Sequence, residues 1–386
     1  MNKRLRWGGL LVLGLGVALI FLMIRTSPQP AAEVTVGAAL GGDDHVDYQR
    51  ADRPRSFHFP ADHGPHPGFR NEWWYVTGNL IDATGRQFGY QLTLFRIALS
   101  PHFPVADSAW RTNQVYMGHF ALTDVRGEKH HSFERFSRGA VGLAGAQAAP
   151  FRVWLEDWAL SGTETDAFPL RLQAGEGGVA LDLTLQANKP VVLQGDRGLS
   201  QKSAEAGNAS YYYSHTRLPT QGTVRLDGQT FTVQGSSWLD REWSTSALGP
   251  EQSGWDWFAL QLDDGRDLMF YRLRRKDGGM DAFSKGVLVD AEGQMRVLRW
   301  NEVDLQPLGE WISSKTGDRY PAAWRLRLPG EALDLTVTPK VADQEMRLTV
   351  RYWEGAVAVS GHAGPREIRG QGYLEMTRYA PSAPLR

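Results

Sequence analysis

Through most of this chain the apolar side chains recur at every second position. Val179, Leu181, Leu183 and Leu185 alternate with Ala180, Asp182 and Thr184, and Leu348, Val350 and Tyr352 alternate with Arg347, Thr349 and Arg351. Successive side chains of a strand point to opposite faces, so this spacing sets one face on a core and the other in water, as antiparallel sheets require. No segment beyond residue 57 carries the period of a long amphipathic helix. With 42 glycines to turn the chain, the expected class is all-β, built from many short strands.

The chain also resembles itself. Trp74-Tyr75, Leu80, Asp82, Gly85-Arg86 and a strand over 88–95 parallel Trp257-Phe258, Leu262, Asp264, Gly265-Arg266 and a strand over 268–273. Leu170-Arg171-Leu172 followed by Leu181-Asp182-Leu183-Thr184 returns as Leu326-Arg327-Leu328 followed by Leu333-Asp334-Leu335-Thr336. Two matches in the same order point to duplication. Turn signals at Pro219 and Gly222 divide the halves into domains over 57–218 and 219–386. Each is long enough for a closed antiparallel barrel holding one small apolar ligand, or for a solid-cored sandwich; composition leaves both open.

Residues 1–25 are of another kind. Lys3, Arg4 and Arg6 precede an uncharged run from Trp7 to Ile24, and Arg25 closes it. A helix over that run rises roughly 27 Å, close to the hydrocarbon thickness of a bilayer. The charge asymmetry places the N-terminus in the cytoplasm and the body outside, and with no small-residue cleavage site at its end the run reads as an uncleaved inner-membrane anchor, a cleaved secretory signal of the same layout being the alternative. Residues 26–56, with Pro28, Pro30, Gly41 and Gly42, read as a flexible tether. Setting aside the anchor's four basic side chains leaves 38 bases against 43 acids, an acidic body poorly suited to nucleic acid or anionic lipid. The chain has no cysteine, so disulfides, thiolate metal sites and thiol nucleophiles are excluded.

The 14 tryptophans gather beside acids. Trp73 and Trp74 follow Glu72, Trp238 and Trp243 bracket Asp240, Arg241 and Glu242, and Trp255 and Trp257 bracket Asp256. On an extended strand Trp238, Asp240 and Glu242 share one face, and Leu239, Arg241 and Trp243 the other. If the first face is buried, desolvation and the neighbouring carboxylate raise a carboxyl pKa, and one acid stays protonated near neutrality as a general acid. The alternative is an ion pair of Arg241 with a carboxylate that ties the domains together. His58, His63 and His66 have the residue type of a metal site but lie among Pro60, Gly64 and Pro65, as an ordinary loop would. His119 shares an alternating face with Val115, Met117 and Ala121, which suits a core imidazole or a polar pocket group. Arg135 and Arg138 suit an anion or a solvated turn, and Tyr211, Tyr212 and Tyr213 a pocket wall or an edge strand. No nucleophile elbow, phosphate loop, dinucleotide fingerprint or His-Glu-x-x-His occurs.

Asn71-Glu72-Trp73-Trp74-Tyr75 with Gly78, Tyr211-Tyr212-Tyr213-Ser214, Trp238-Leu239-Asp240-Arg241-Glu242-Trp243 and Gly254-Trp255-Asp256-Trp257-Phe258 resemble the lipocalin-like AttH-type family, which includes hydroxyneurosporene synthase (carotenoid 1,2-hydratase). The resemblance runs over roughly residues 50–380. It implies two tandem lipocalin-like (calycin) β-barrels behind the anchor, no cofactor or metal, and either of two functions. One is an extracytoplasmic, periplasmic protein that binds an apolar or amphipathic ligand, such as a lipid, beside an ABC-type permease. The other is a cofactor-independent hydratase or isomerase of isoprenoid alkenes, in which Asp240 protonates the double bond, Glu242 tunes it or orients water, and aromatic faces steady the cation. The ligand-binding candidates are Trp74, Tyr75, Tyr212, Trp238, Trp243, Trp255 and Trp257, with Glu72, His119, Arg241 and Asp256 as polar pocket groups. Arg241 departs from the hydratase pattern: paired with Asp240, it would keep that carboxyl ionised. The anchor and the Asp-Arg-Glu-Trp form look more like the transport-associated branch.

Overall fold

The computed structural model describes residues 47–105, 107–246, 248–377 and 379. The anchor expected over 1–25 and the tether as far as residue 46 lie outside them. Among the described residues no helix is long and apolar enough to cross a membrane.

Apart from single-turn 3-10 segments, the described residues are all strand and loop. The first sheet holds β1 (Asn71–Asp82), β2 (Gln87–Ala98), β3 (Gln114–Asp124), β4 (Lys129–Arg138), β5 (Ala144–Ala148), β6 (Phe151–Leu155), β7 (Trp158–Ser161), β8 (Leu170–Glu176), β9 (Val179–Leu185), β10 (Val192–Leu193), β11 (Leu199–Gln201), β12 (Ala209–Leu226) and β13 (Gln229–Ser244). The second holds β14 (Gln252–Leu262), β15 (Asp267–Arg275), β16 (Lys285–Val289), β17 (Met295–Arg299), β18 (Asp304–Ile312), β19 (Arg319–Leu328), β20 (Leu333–Pro339), β21 (Glu345–Arg347), β22 (Arg351–Ala363) and β23 (Arg366–Thr377).

Within the first sheet the order is β4-β3-β2-β1-β13-β12-β9-β8-β7-β6-β5, and within the second β17-β16-β15-β14-β23-β22-β20-β19-β18. The central strands correspond one for one, so the sequence repeat is a repeat of topology. The first sheet curls into a nearly closed barrel and the second into a half-barrel, together two lipocalin-like domains. Arg135 on β4 helps close the first. It reaches Glu176 and the Gly175 carbonyl at the end of β8, and its guanidinium lies 4.5 Å over Trp158 of β7.

Three of the four apolar clusters among the described residues frame the fold. One fills the first barrel around Trp74, Trp158 and Trp243, and a second fills the half-barrel around Phe258, Trp324 and Trp353. The third, with Tyr75, Tyr212, Trp238, Trp257 and Tyr271, draws on both sheets and joins them. Its existence alters the two-faced pattern. β9 keeps one face in the core and one partly exposed, as alternation requires, whereas β1, β13, β14 and β15 are buried on both faces because they stand between a barrel interior and the other barrel.

Several expectations shift. The division at 218/219 falls inside β12, where Pro219 sits beside a register shift between His215 and Leu218; the punctuation marks a bulge, and the sheets change over between Ser244 and Gln252. The alternation over 347–352 is a hairpin turn, in which Arg347 pairs with Arg351 across β21 and β22. At the far end of the expected tether, the described residues 47–56 are tied to the barrel: Gln49 N–H donates to the Gly68 carbonyl, Tyr48 Oη to the Ala98 carbonyl, and Ala51 is buried. The repeat also needs a one-residue correction. Leu80 and Leu262, like Asp82 and Asp264, stand 182 positions apart, and at that spacing Trp73 answers Trp255 and Tyr75 answers Trp257. A slip of one reverses faces, which is why Trp74 is in the first core while Trp257 is in the shared cluster.

Candidate functional site

Where the two sheets meet they enclose a cavity of about 130 Å³. That is the scale at which a protein interior takes up one benzene-sized apolar group. Tyr75, Tyr212 and Trp257 form apolar wall, and the half-buried Trp73, Ser246, Leu248 and Trp255 lie toward the surface.

β13 sends Asp240 and Glu242 into this cavity, with Trp238 on the same face behind Asp240. The Asp240 carboxylate region is fully built. Tyr212 Oη donates to Oδ2 at 2.5 Å, Ser214 Oγ to Oδ1 at 2.5 Å, and Trp238 Nε1 to Oδ1 at 2.7 Å. Burial pushes the carboxyl up; the three donors pull it down and Glu242 raises it again, with the outcome at about 7. Glu242 is held by Lys202, 3.1 Å away, whose ammonium lies 4.4 Å over the Tyr271 ring. On the facing side Glu375 of β23 accepts from Trp255 Nε1 at 2.6 Å, and its cross-strand neighbour Glu354 accepts from Tyr75 Oη at 2.6 Å. Burial carries Glu375 to about 7 and Glu354 well above the usual carboxylate range. Glu375 is half-buried and its open side faces the cavity.

Of the residues picked out from the sequence, Tyr75, Tyr212, Trp255, Trp257, His119, Asp240 and Glu242 line the cavity. His119 is engaged on both nitrogens, with Tyr352 Oη at 2.7 Å and Glu134 Oε1 at 3.1 Å. Trp74, Trp243, Glu72 and Arg241 do not reach it, because odd and even positions of β1 and β13 face opposite ways. Arg241 points into the first barrel, pairs with Glu72 and lies 3.9 Å over the Trp74 ring; Trp243 stacks on His66 at 3.7 Å. The pairing of Arg241 with Asp240 is therefore absent. Glu72 is buried, yet Arg241 and Arg96 overcome that burial and hold it well below its ordinary value. Asp256 likewise turns into the half-barrel, paired with Arg274 and accepting from Tyr379 Oη at 2.9 Å. His63 hydrogen-bonds Tyr213 Oη at 2.6 Å and His66 bridges Asp62 and Glu72; among the described residues no group of three His, Asp or Glu side chains is arranged to hold a metal ion.

Sequence reasoning missed Lys202, Ser214, Tyr271, Glu354 and Glu375. Glu375 holds in the second sheet the place of Asp240 in the first, since Asp240 lies opposite Tyr75 on β1 and Glu375 opposite Trp257 on β14, but the two stand 135 residues apart and the 182-residue spacing does not connect them. Lys202 follows a three-residue strand and carries no periodic signal.

A family model described as AttH-like matches residues 50–379. A structure from Nitrosomonas europaea assigned as an AttH is 34% identical, covers 86% of this chain and 100% of its own, and superposes with a TM-score of 0.75. Kievitone hydratase from Nectria haematococca is 15% identical over 86% of this chain and 96% of its own, with a TM-score of 0.65, and CghA is 13% identical over 87% and 97%, at 0.52. At those identities the likeness is one of fold. No curated protein sequence matches the chain.

Proposed function

The chain belongs to the AttH-like family, and from that premise we propose that it takes an apolar or amphipathic small molecule into the interbarrel cavity and that Asp240 protonates it, as a cofactor-independent hydratase or isomerase of isoprenoid alkenes. One observation carries this reading: Asp240 is a buried acid able to hold its proton near neutrality, set among aromatic faces, with Arg241 turned away from it. A carboxyl in that state delivers a proton to a double bond, and indole and phenol faces stabilise the developing tertiary cation. Glu242, held by Lys202, lies beside Asp240 to keep its ionised form unfavourable. That a hydratase shares the fold is consistent with this chemistry and does not by itself establish it.

The test is incubation of the full chain with acyclic isoprenoid alkenes, followed by mass spectrometry. A product heavier by one water, or an isomer of unchanged mass, is expected for the wild type and lost in Asp240→Asn. Turnover unchanged in that variant refutes the role of Asp240. The basic-apolar-basic pattern of residues 3–25 favours a second reading, an inner-membrane-anchored body on the periplasmic side that presents its ligand to an ABC-type permease. Uptake of an apolar fluorophore without any turnover, together with crosslinking of the 26–46 segment to a permease, would decide for it.

A further inference from the structure

The duplicated fold brings two acids to one cavity from equivalent places. Asp240 of β13 is the cross-strand partner of Tyr75 on β1, and Glu375 of β23 is the cross-strand partner of Trp257 on β14. Tyr75 and Trp257 answer each other in the repeat and meet edge to face at 5.1 Å. The next strand out repeats the correspondence: Ser214 on β12 stands beside Asp240, and Glu354 on β22 beside Glu375. Each acid also receives an indole N–H, from Trp238 in one case and Trp255 in the other.

Their surroundings differ in a way that gives the two acids different tasks. Asp240 is met by three neutral donors and a nearby carboxylate, Glu242. Glu375 is met by another carboxyl. Glu354 Oε1 accepts from Tyr75, while its buried Oε2 has no hydrogen-bond partner, so burial keeps the proton on Glu354 and leaves its cross-strand neighbour Glu375 the freer to ionise. Of the two acids carried to about 7, Glu375 thus has a protonated carboxyl beside it and Asp240 has Glu242, which fits Glu375 to accept a proton and Asp240 to give one.

We propose that Glu375 is the second proton-transfer group of this cavity, the base that complements Asp240, and that the ligand is one that carries or develops positive charge between them. This rests on the acid role given above to Asp240. The steps balance with water as the only co-reactant. The Asp240 O–H bond breaks as a C–H bond forms on the alkene, leaving a cation; a water lone pair forms the C–O bond; the proton of that water passes to the Glu375 carboxylate. Passage of that proton through solvent from Glu375 to Asp240 returns the one to carboxylate and the other to acid, and the net change is alkene plus water to alcohol. If the base instead removes a C–H proton beside the cation, the same pair isomerises the double bond.

A probe pair of equal shape tests this without knowledge of the substrate: benzyltrimethylammonium, a fixed cation, against neopentylbenzene, its uncharged isostere, with binding to the full chain followed by tryptophan fluorescence. The wild type is expected to prefer the ammonium by about tenfold. In Glu375→Gln that preference should fall by most of this factor while neopentylbenzene binding is unchanged, which also reports that the fold persists. If Glu375→Gln does not fold, Glu375→Asp, with its carboxylate withdrawn by one methylene, is read the same way. Glu354→Gln, which keeps a donor toward Glu375 and an acceptor for Tyr75, should retain the preference. An undiminished preference in Glu375→Gln, or loss in Glu354→Gln alone, overturns the assignment while leaving Asp240 as the acid. Failure of both probes to bind the wild type overturns the cavity reading itself.

Discussion

Replacing Asp240 by Asn should make the protein's stability less sensitive to pH, in a direction that an ion-paired aspartate would not give. Asp240 ionises near 3.8 in an ordinary setting and at about 7 in the fold. Because the folded value is the higher, its contribution to stability is complete below pH 3.8 and is lost as the pH rises through about 7. With one pKa unit equal to about 1.4 kcal/mol, the loss between pH 5 and pH 8 comes to about 2–3 kcal/mol. Asn has no proton to give up, and its carbonyl can accept from Ser214 and Trp238 while its amide donates to Tyr212 Oη. The gap in unfolding free energy between Asp240→Asn and wild type should therefore widen by about 2–3 kcal/mol from pH 5 to pH 8, since Glu354, Glu375 and the other titrating groups are common to both proteins. Urea titration followed by tryptophan fluorescence and by circular dichroism measures it, provided the two probes coincide and the slopes agree. A gap that is constant or narrows with pH would show Asp240 to be ionised in the fold, and the general-acid role would fall with it.

Arg241→Met should cost about 3 kcal/mol by leaving buried Glu72 with Arg96 as its one guanidinium partner, and Glu72→Gln in the same chain should recover part of it; a urea midpoint unmoved by the single change would refute the buried ion cluster. Asp267→Asn should cost about 3–5 kcal/mol, because Asp267 on β15 accepts from Lys189 at 2.8 Å, Thr216 at 2.8 Å and Arg217 at 2.6 Å, all from the first half; a loss below about 1 kcal/mol would mean that this network does not hold the barrels together. Lys202→Met removes the ammonium beside Glu242 and should tighten binding of the benzyltrimethylammonium probe several-fold, whereas weaker binding would mean that Lys202 shapes the cavity through its contact with Tyr271.

The class of fold was legible because a period of two is a local property. Val179–Leu185 states its own conformation residue by residue, and the matching Leu-Asp-Leu-Thr segments of β9 and β20 do occupy equivalent strands. The separation of β13 into a Trp238-Asp240-Glu242 face and a Leu239-Arg241-Trp243 face was legible for the same reason. Which face meets which space was not. That depends on the partner across the sheet, and here both faces are enclosed, one by a barrel interior and one by the neighbouring barrel. Trp74, Glu72 and Asp256, which the aromatic-acidic motifs suggest for the pocket, are carried by the alternation of their own strands into a barrel core.

Sequence by itself thus determined the strands, the duplication and the chemistry available at each position, since covalent order and side-chain alternation are short-range facts. Only the tertiary structure decided that Arg241 belongs to Glu72 and leaves Asp240 alone, and that Glu375, 135 residues further along, faces the same cavity. The physical reason is that a carboxyl's proton affinity is set by the dielectric and charges around it, and in this fold those are assembled from strands distant in sequence.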